Sequence, residues 1–420
     1  MRSIIISISS LLFGNTLMLL GMGLMGILLG IRAGVEGFSA TATGIVMSSY
    51  FVGYAAGTFI VPSMIQRVGH IRAFAALASI ASTTAILHAI FVSPEAWTLI
   101  RILNGMSIVG LAIVLESWLN VLVPNQQRGK LFATYLMVTF LSLACGQFLV
   151  LIADIKSFIS FGLVSVLLSL SLVPVALTRV KEPKPTVTPS IHLPTLYRTS
   201  PFGVIGTFSS GLVISAFWGM GPLFAHRTGL EPAQVATYMF TTILGGALLQ
   251  WPIGHFSDRH DRRTVLMVVS LASAVLATVI AFTSKAAYET LLLFSFLYGG
   301  ASFSLYGISA AHMNDHVTTE NMLEASKGLL LIYGIGASFG PFIAGVVMTE
   351  ARPNNLYLYM AVVWVLVVLF GLYRYLRRKP VPVEEQTEFS PMIRTSPVVL
   401  EMDPRLGTPG QTDKDVAQPQ

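Results

Sequence analysis

Arg101 and Glu116 are the residues on which chemistry in this chain could rest. Both lie in the stretch from Trp97 to Lys130, a helix-length apolar run that closes in Pro124 and a basic turn at Arg128 and Lys130. A charge at the centre of a membrane helix costs roughly 2.5–3.5 kcal/mol on insertion scales, so such a residue usually faces a cavity or a partner. Fifteen residues of helix put the two charges about 22 Å apart. They cannot pair with each other, yet they lie within about 60° of one another around the helix axis. One face of this helix is therefore polar at both ends and must be buried.

Arg101, with Asn104 on its side of the helix, could hold an anionic solute group or bias a neighbouring carboxylic acid towards ionisation. The alternative is that it snorkels to headgroups one turn away. Glu116 is the only acid well inside a hydrophobic run. Burial disfavours an ionised carboxylate, so a glutamate there can carry a proton; the alternative is a static ion pair with Arg128 or another base at that end.

The elements that position these residues follow from composition. Of 420 residues, 54% are hydrophobic and 11% charged, with a mean hydropathy of +0.71. Charge at less than half the globular average marks an integral membrane protein. Cys145 is the only cysteine, which excludes an intrachain disulfide and a thiolate metal site. The basic residues sit in short loops rather than along one face, which argues against nucleic acid as a partner. The first apolar run continues to about Gly30, roughly twice the length of a signal peptide's apolar core, and reads as an uncleaved span.

Runs long enough to cross a bilayer fall at about 4–30, 41–65, 73–92, 97–122, 130–152 and 158–178, then at 201–225, 232–256, 264–283, 288–312, 323–349 and 355–376. The expected fold is thus all-α, with twelve transmembrane helices in two six-helix bundles, residues 1–178 and 201–376. A proline-rich loop, 179–200, joins them, and a disordered tail, 377–420, follows. Eleven Lys and Arg residues occupy one set of loops (Arg67, Arg72, Arg128, Lys130, Arg179, Lys181, Lys184, Arg198, Arg259, Arg262, Arg263) and five the other (Arg32, Lys156, Arg227, Lys285, Arg352). The positive-inside rule then places the richer set, and both termini, in the cytoplasm. The halves also match each other. Gly14 pairs with Gly206 and Arg67 with Arg259 at an offset of 192; Gly105 with Gly299, Asn120 with Asn314 and Gly146 with Gly340 at 194. A shared register of this kind indicates a parallel internal repeat.

Three motifs carry a resemblance. Gly254-His-Phe-Ser-Asp258-Arg259-His-Asp-Arg262-Arg263 resembles the major facilitator loop signature, with Asp261 where the family has glycine. The equivalent turn around Arg67 and Gly69 has Pro62 and Gln66 in place of the glycine and acid. In the eleventh span Gly336, Gly340, Pro341 and Gly345 are similar to the antiporter motif, which most antiporters carry in the fifth span; here the fifth has Cys145-Gly146-Gln147. More narrowly, Glu116-Ser-Trp-Leu-Asn, the turn from Pro124 to Lys130 and Ala133-Thr-Tyr135 resemble the YcaD-like branch of bacterial permeases.

The resemblance implies a multi-pass secondary transporter of the bacterial inner membrane, a monomer moving a small solute by alternating access. It is not an enzyme and needs no cofactor or metal; no Walker motif supports ATP-driven transport, and Gly21 to Gly26 lies mid-span with no preceding strand, which discards a nucleotide site. The substrate cavity is expected at Asn15, Arg101, Asn104, Gln147, Trp218, Tyr306 and Tyr333, with proton coupling at Glu116 and Arg101. Gln250, Trp251 and Tyr298 are weaker cavity candidates, and His88 reads as core packing. A cytoplasmic gate is expected from Arg67, Arg128, Gly254, Asp258, Arg259, Arg262 and Glu324: Asp258 against the start of the fifth span, Arg67 against Glu324 at the start of the eleventh. An uncoupled facilitator, or a receptor or scaffold that keeps the fold without flux, remains the alternative.

Overall fold

A computed structural model of the chain describes residues 2–122, 127–178, 193–283, 288–376, 382–387, 389, 398 and 400. The helices are α1 (Arg2–Val35), α2 (Ala40–Val68), α3 (His70–Ile90), α4 (Pro94–Leu122), α5 (Arg128–Gly146), α6 (Phe158–Leu177), α7 (Leu193–Thr199), α8 (Pro201–Arg227), α9 (Pro232–Asp258), α10 (Arg262–Thr283), α11 (Tyr288–Asn314), α12 (Thr319–Val347) and α13 (Asn355–Tyr375). A 3-10 segment, Gln147–Leu151, extends α5. Apart from the seven-residue α7, these are the twelve expected spans. Among the described residues, eleven of them are long and apolar enough to cross a membrane. The twelfth, α9, has the length, but Gln234, Thr237, Thr241, Thr242, Gln250, His255 and Ser257 dilute its hydropathy.

The stretch expected as an irregular central loop contains α7, with Leu196 buried; residues 179–192 lie outside the described residues. Ser200 then caps α8, its Oγ accepting the Gly203 N–H with Pro201 in the first turn. Most of the tail also lies outside the described residues. Of its described residues, 382–385 are exposed, whereas Thr387, Phe389, Val398 and Leu400 lie against the bundle.

The repeat seen in the sequence is a repeat of helix crossings. A Cβ at Gly53 would collide with the carbonyl oxygen of Ile102, and one at Gly105 with that of Tyr50, so α2 and α4 cross backbone to backbone. In the second half a Cβ at Gly245 would strike the carbonyl of Phe296 and one at Gly299 that of Thr242. Each residue of the second set is its first-half counterpart shifted by 192 or 194. Small residues at such crossings are what lets membrane helices approach closely. The turns repeat too: Gly37 and Gly229, 192 apart, both take positive φ (74° and 87°) after the first helix of their half.

Between the halves, the named contacts cluster on one side, that where α1 ends and α2 begins, here the far side; α1 begins and α13 ends on the near side. Gly30 and Gly34 of α1 seat against Pro222, Leu223 and His226 of α8. Gly345 of α12 approaches the backbone of Ala40 and Gly44 on α2. Thr41 Oγ1 donates to Gly345 O at 3.2 Å and the Phe342 N–H donates to Ser48 Oγ at 2.9 Å. Phe148 meets Phe240 at 5.2 Å, and Arg227 Nη2 donates to Phe38 O at 3.0 Å. Among the described residues these contacts close the far side.

Candidate functional site

Below that seal α1, α2, α4, α5 and α6, with Trp218 and Gly219 of α8, line a cavity of about 1060 Å³ of empty space, part of it open solvent. Its two polar ends are the two charges of α4.

At the far end Arg101 is buried, 8% exposed, with its guanidinium 4.3 Å from the centre of the Tyr50 ring. It does not reach out to headgroups. Nη1 donates to Asn104 Oδ1 at 3.2 Å, and Asn104 Nδ2 donates to Thr84 Oγ1 at 3.0 Å. The Thr84 carbonyl accepts from His88 Nδ1 at 2.6 Å, and the His88 carbonyl accepts from Trp97 Nε1 at 3.0 Å. His88 is therefore the buried packing residue expected, but it also anchors the network that orients Arg101. A guanidinium held over an aromatic ring and hydrogen-bonded to Asn104 is pre-organised for a planar anionic group.

At the near end Glu116 is fully buried and accepts the Tyr135 hydroxyl at 2.7 Å. Asn15 Nδ2 donates to Thr139 Oγ1 at 3.4 Å beside it, joining α1 to α5. Between the ends the wall is apolar and adaptable: Met18, Met22 and Met25 fall at helical spacing on α1, faced by Met47, Phe51 and Ile108.

Of the cavity residues expected from the sequence, Asn15, Arg101, Asn104 and Trp218 line it; Gln147, Tyr306 and Tyr333 do not. Gln147 is buried and donates back to the Leu143 carbonyl at 3.0 Å. Tyr306 and Tyr333 pack on each other, 5.0 Å between ring centres, inside the second half. The weaker candidates also fall elsewhere. Gln250 donates to the Phe303 carbonyl, Tyr298 to Met360 Sδ, and Trp251 is 68% exposed, stacked on His255. Sequence reasoning missed Tyr50, Tyr54, Tyr135, Thr139 and the methionine stripe; the stripe's spacing and the mid-span tyrosines were the available signals.

The gate residues are placed as follows. Arg67 and Arg259 are exposed, Arg128 and Glu324 half-buried, and Gly254 buried. Arg67 and Glu324 make no ion pair with each other. Asp258 pairs with Arg262 at 2.6 Å, and Arg262 also pairs with Asp315 at 2.6 Å. Asp261 accepts from the Arg263 N–H and the Thr264 hydroxyl, so it caps α10.

The chain matches the family described as the Major Facilitator Superfamily over residues 11–202 and again over 203–406. The chain belongs to the major facilitator superfamily. Its curated relatives include the uncharacterized MFS-type transporter YcaD of Escherichia coli, for example strain K12 / DH10B, 29% identical over 381 residues, which are 89% of this chain and 97% of that protein. Among solved structures it is similar to the nucleoside transporter NupG, at a TM-score of 0.76 and 16% identity, covering 89% of this chain and 100% of that one. It is also similar to a bacterial homologue of the human lysosomal transporter Spinster in an inward-facing, occupied conformation, at a TM-score of 0.71 and 15% identity, covering 92% and 98%. This major facilitator protein is a multi-pass membrane transporter by family. The Asp261 cap explains how it departs from the family's loop glycine. The antiporter-like glycines of α12 serve packing: a Cβ at Gly336 or Gly340 would collide with the α8 backbone at Phe208 or Leu212, and Gly345 seats α12 on α2.

Proposed function

We propose that the protein moves an amphipathic organic solute across the bacterial inner membrane by alternating access of its two halves, 1–178 and 201–376, with proton movement at Glu116 as the driving force. One observation carries this reading: a cavity with a buried guanidinium at one end, a buried carboxyl at the other and an apolar, methionine-rich wall between them. An anionic group of the solute would meet Arg101 while its apolar body lies along Met18, Met22 and Phe51. With both termini in the cytoplasm, the far side is the outer side and the arrangement is inward-facing.

The test begins with thermal-shift screening of purified protein, since a bound solute stabilises the fold by mass action. Hits are then loaded into proteoliposomes under an imposed pH gradient. Gradient-driven flux is expected; flux that ignores pH would leave an uncoupled facilitator, and no flux for any hit would leave a receptor or scaffold. Arg101→Lys should weaken the thermal shift of anionic hits despite keeping the charge, because the planar, forked guanidinium over Tyr50 is lost. An unchanged shift would remove Arg101 from the binding site.

Orientation has its own test. In a Cys145→Ala background, a cysteine at exposed Gln66 should be shielded from an impermeant reagent in intact cells and one at exposed Lys156 accessible. The reverse pattern would turn the topology over.

A further inference from the structure

We propose that the loop between α9 and α10, together with the end of α11, is a docking site for the chain's own C-terminal segment at Thr387 and Phe389, and that its occupancy opposes closure of the near side. The gating half rests on the alternating-access reading; the docking half does not.

The site is built from three charges. The Arg262 and Asp315 side chains are each 1% exposed, and Arg262 bridges Asp315 and Asp258. Buried ions are tolerated only when their remaining hydrogen-bonding positions are filled. The tail fills them with main-chain groups of the matching sense. The Thr387 N–H and hydroxyl each donate to Asp315 Oδ1 at 2.9 Å. The Phe389 N–H donates to Asp258 Oδ1 at 2.8 Å, and Arg262 Nη2 donates to the Thr387 carbonyl at 2.6 Å. Acids meet N–H groups and the base meets a carbonyl. The Phe389 ring lies where a Cβ at position 254 would stand, so Gly254 is the floor of an aromatic seat. The eleven residue-to-residue steps from Leu376 to Thr387 span up to about 35–40 Å, ample to return to this loop.

Docking uses the parts that closure needs. Asp258 is the carboxylate expected to cap α5 when the near side shuts, and here its Oδ1 is taken by Arg262 and the tail. The Gly254 face, open to close approach by another helix, is filled by the ring. A segment that binds the open arrangement and not the closed one shifts the population towards the open one.

Hydrogen exchange on the full-length protein tests docking. The Thr387 and Phe389 amides should exchange slowly in the wild type, and about tenfold or more faster in Gly254→Leu, which unseats the ring. Phe389→Ala, which cannot unfold the bundle, should do the same. Exchange at the rate of a free peptide in the wild type would overturn docking. For gating, Ser48→Cys in the far-side seam, in the Cys145→Ala background, should react faster with an impermeant maleimide when combined with either substitution. Unchanged labelling would overturn the gating half. A Ser48→Cys that no variant or solute exposes would remove alternating access and the gating half with it, while exchange would still decide docking.

Discussion

Gly105→Val should leave little monodisperse protein after detergent extraction. At this position a Cβ runs into the Tyr50 carbonyl oxygen, a backbone atom that no rotamer change can move aside. Overpacking a well-filled interior costs about 1–3 kcal/mol when side chains can shift. Here α2 and α4 must separate, which also opens the reciprocal contact of Gly53 on Ile102, so the cost lies at or beyond the top of that range. Gly299→Val, at the matching crossing of α9 and α11, should behave alike. Gly334→Ala on α12 is the control, because a Cβ there meets nothing within 4 Å. Size-exclusion profiles and thermal stability of the three variants decide the matter; a Gly105→Val protein with an unchanged melting temperature would show that the crossing is looser than described.

Glu116→Gln should abolish solute movement driven by a proton gradient while preserving exchange of solute down its own gradient. The amide keeps the shape of the carboxyl and can accept the Tyr135 hydroxyl, but it does not titrate. Binding, read by thermal shift, should survive, which separates a coupling role from a structural one. Tyr135→Phe removes the hydroxyl that donates to Glu116 Oε1. It should slow turnover and leave coupling in place. Full proton-driven transport by Glu116→Gln would make the residue structural and place coupling on the solute's own proton or on another group.

The sequence alone determined the membrane class, the spans and the repeat, because burial in lipid forces long apolar helices and the repeat forces matching residues into one register. It also singled out Arg101 and Glu116, since a charge inside an apolar run is visible without any fold. What those charges face was decided by packing. Whether Arg101 reaches headgroups or lies over Tyr50 depends on the rotation of α4 against α2, and a single helix does not contain that angle. The same holds for Gln147, Tyr306 and Tyr333: Gln147 turns back onto the backbone of its own helix, and Tyr306 and Tyr333, on different helices of the second half, turn towards each other. The loop signature was readable as a charge pattern. Its partner, the Thr387–Phe389 segment, was not, because the tail has no periodicity of its own and takes its place only through hydrogen bonds that α9, α10 and α11 together present.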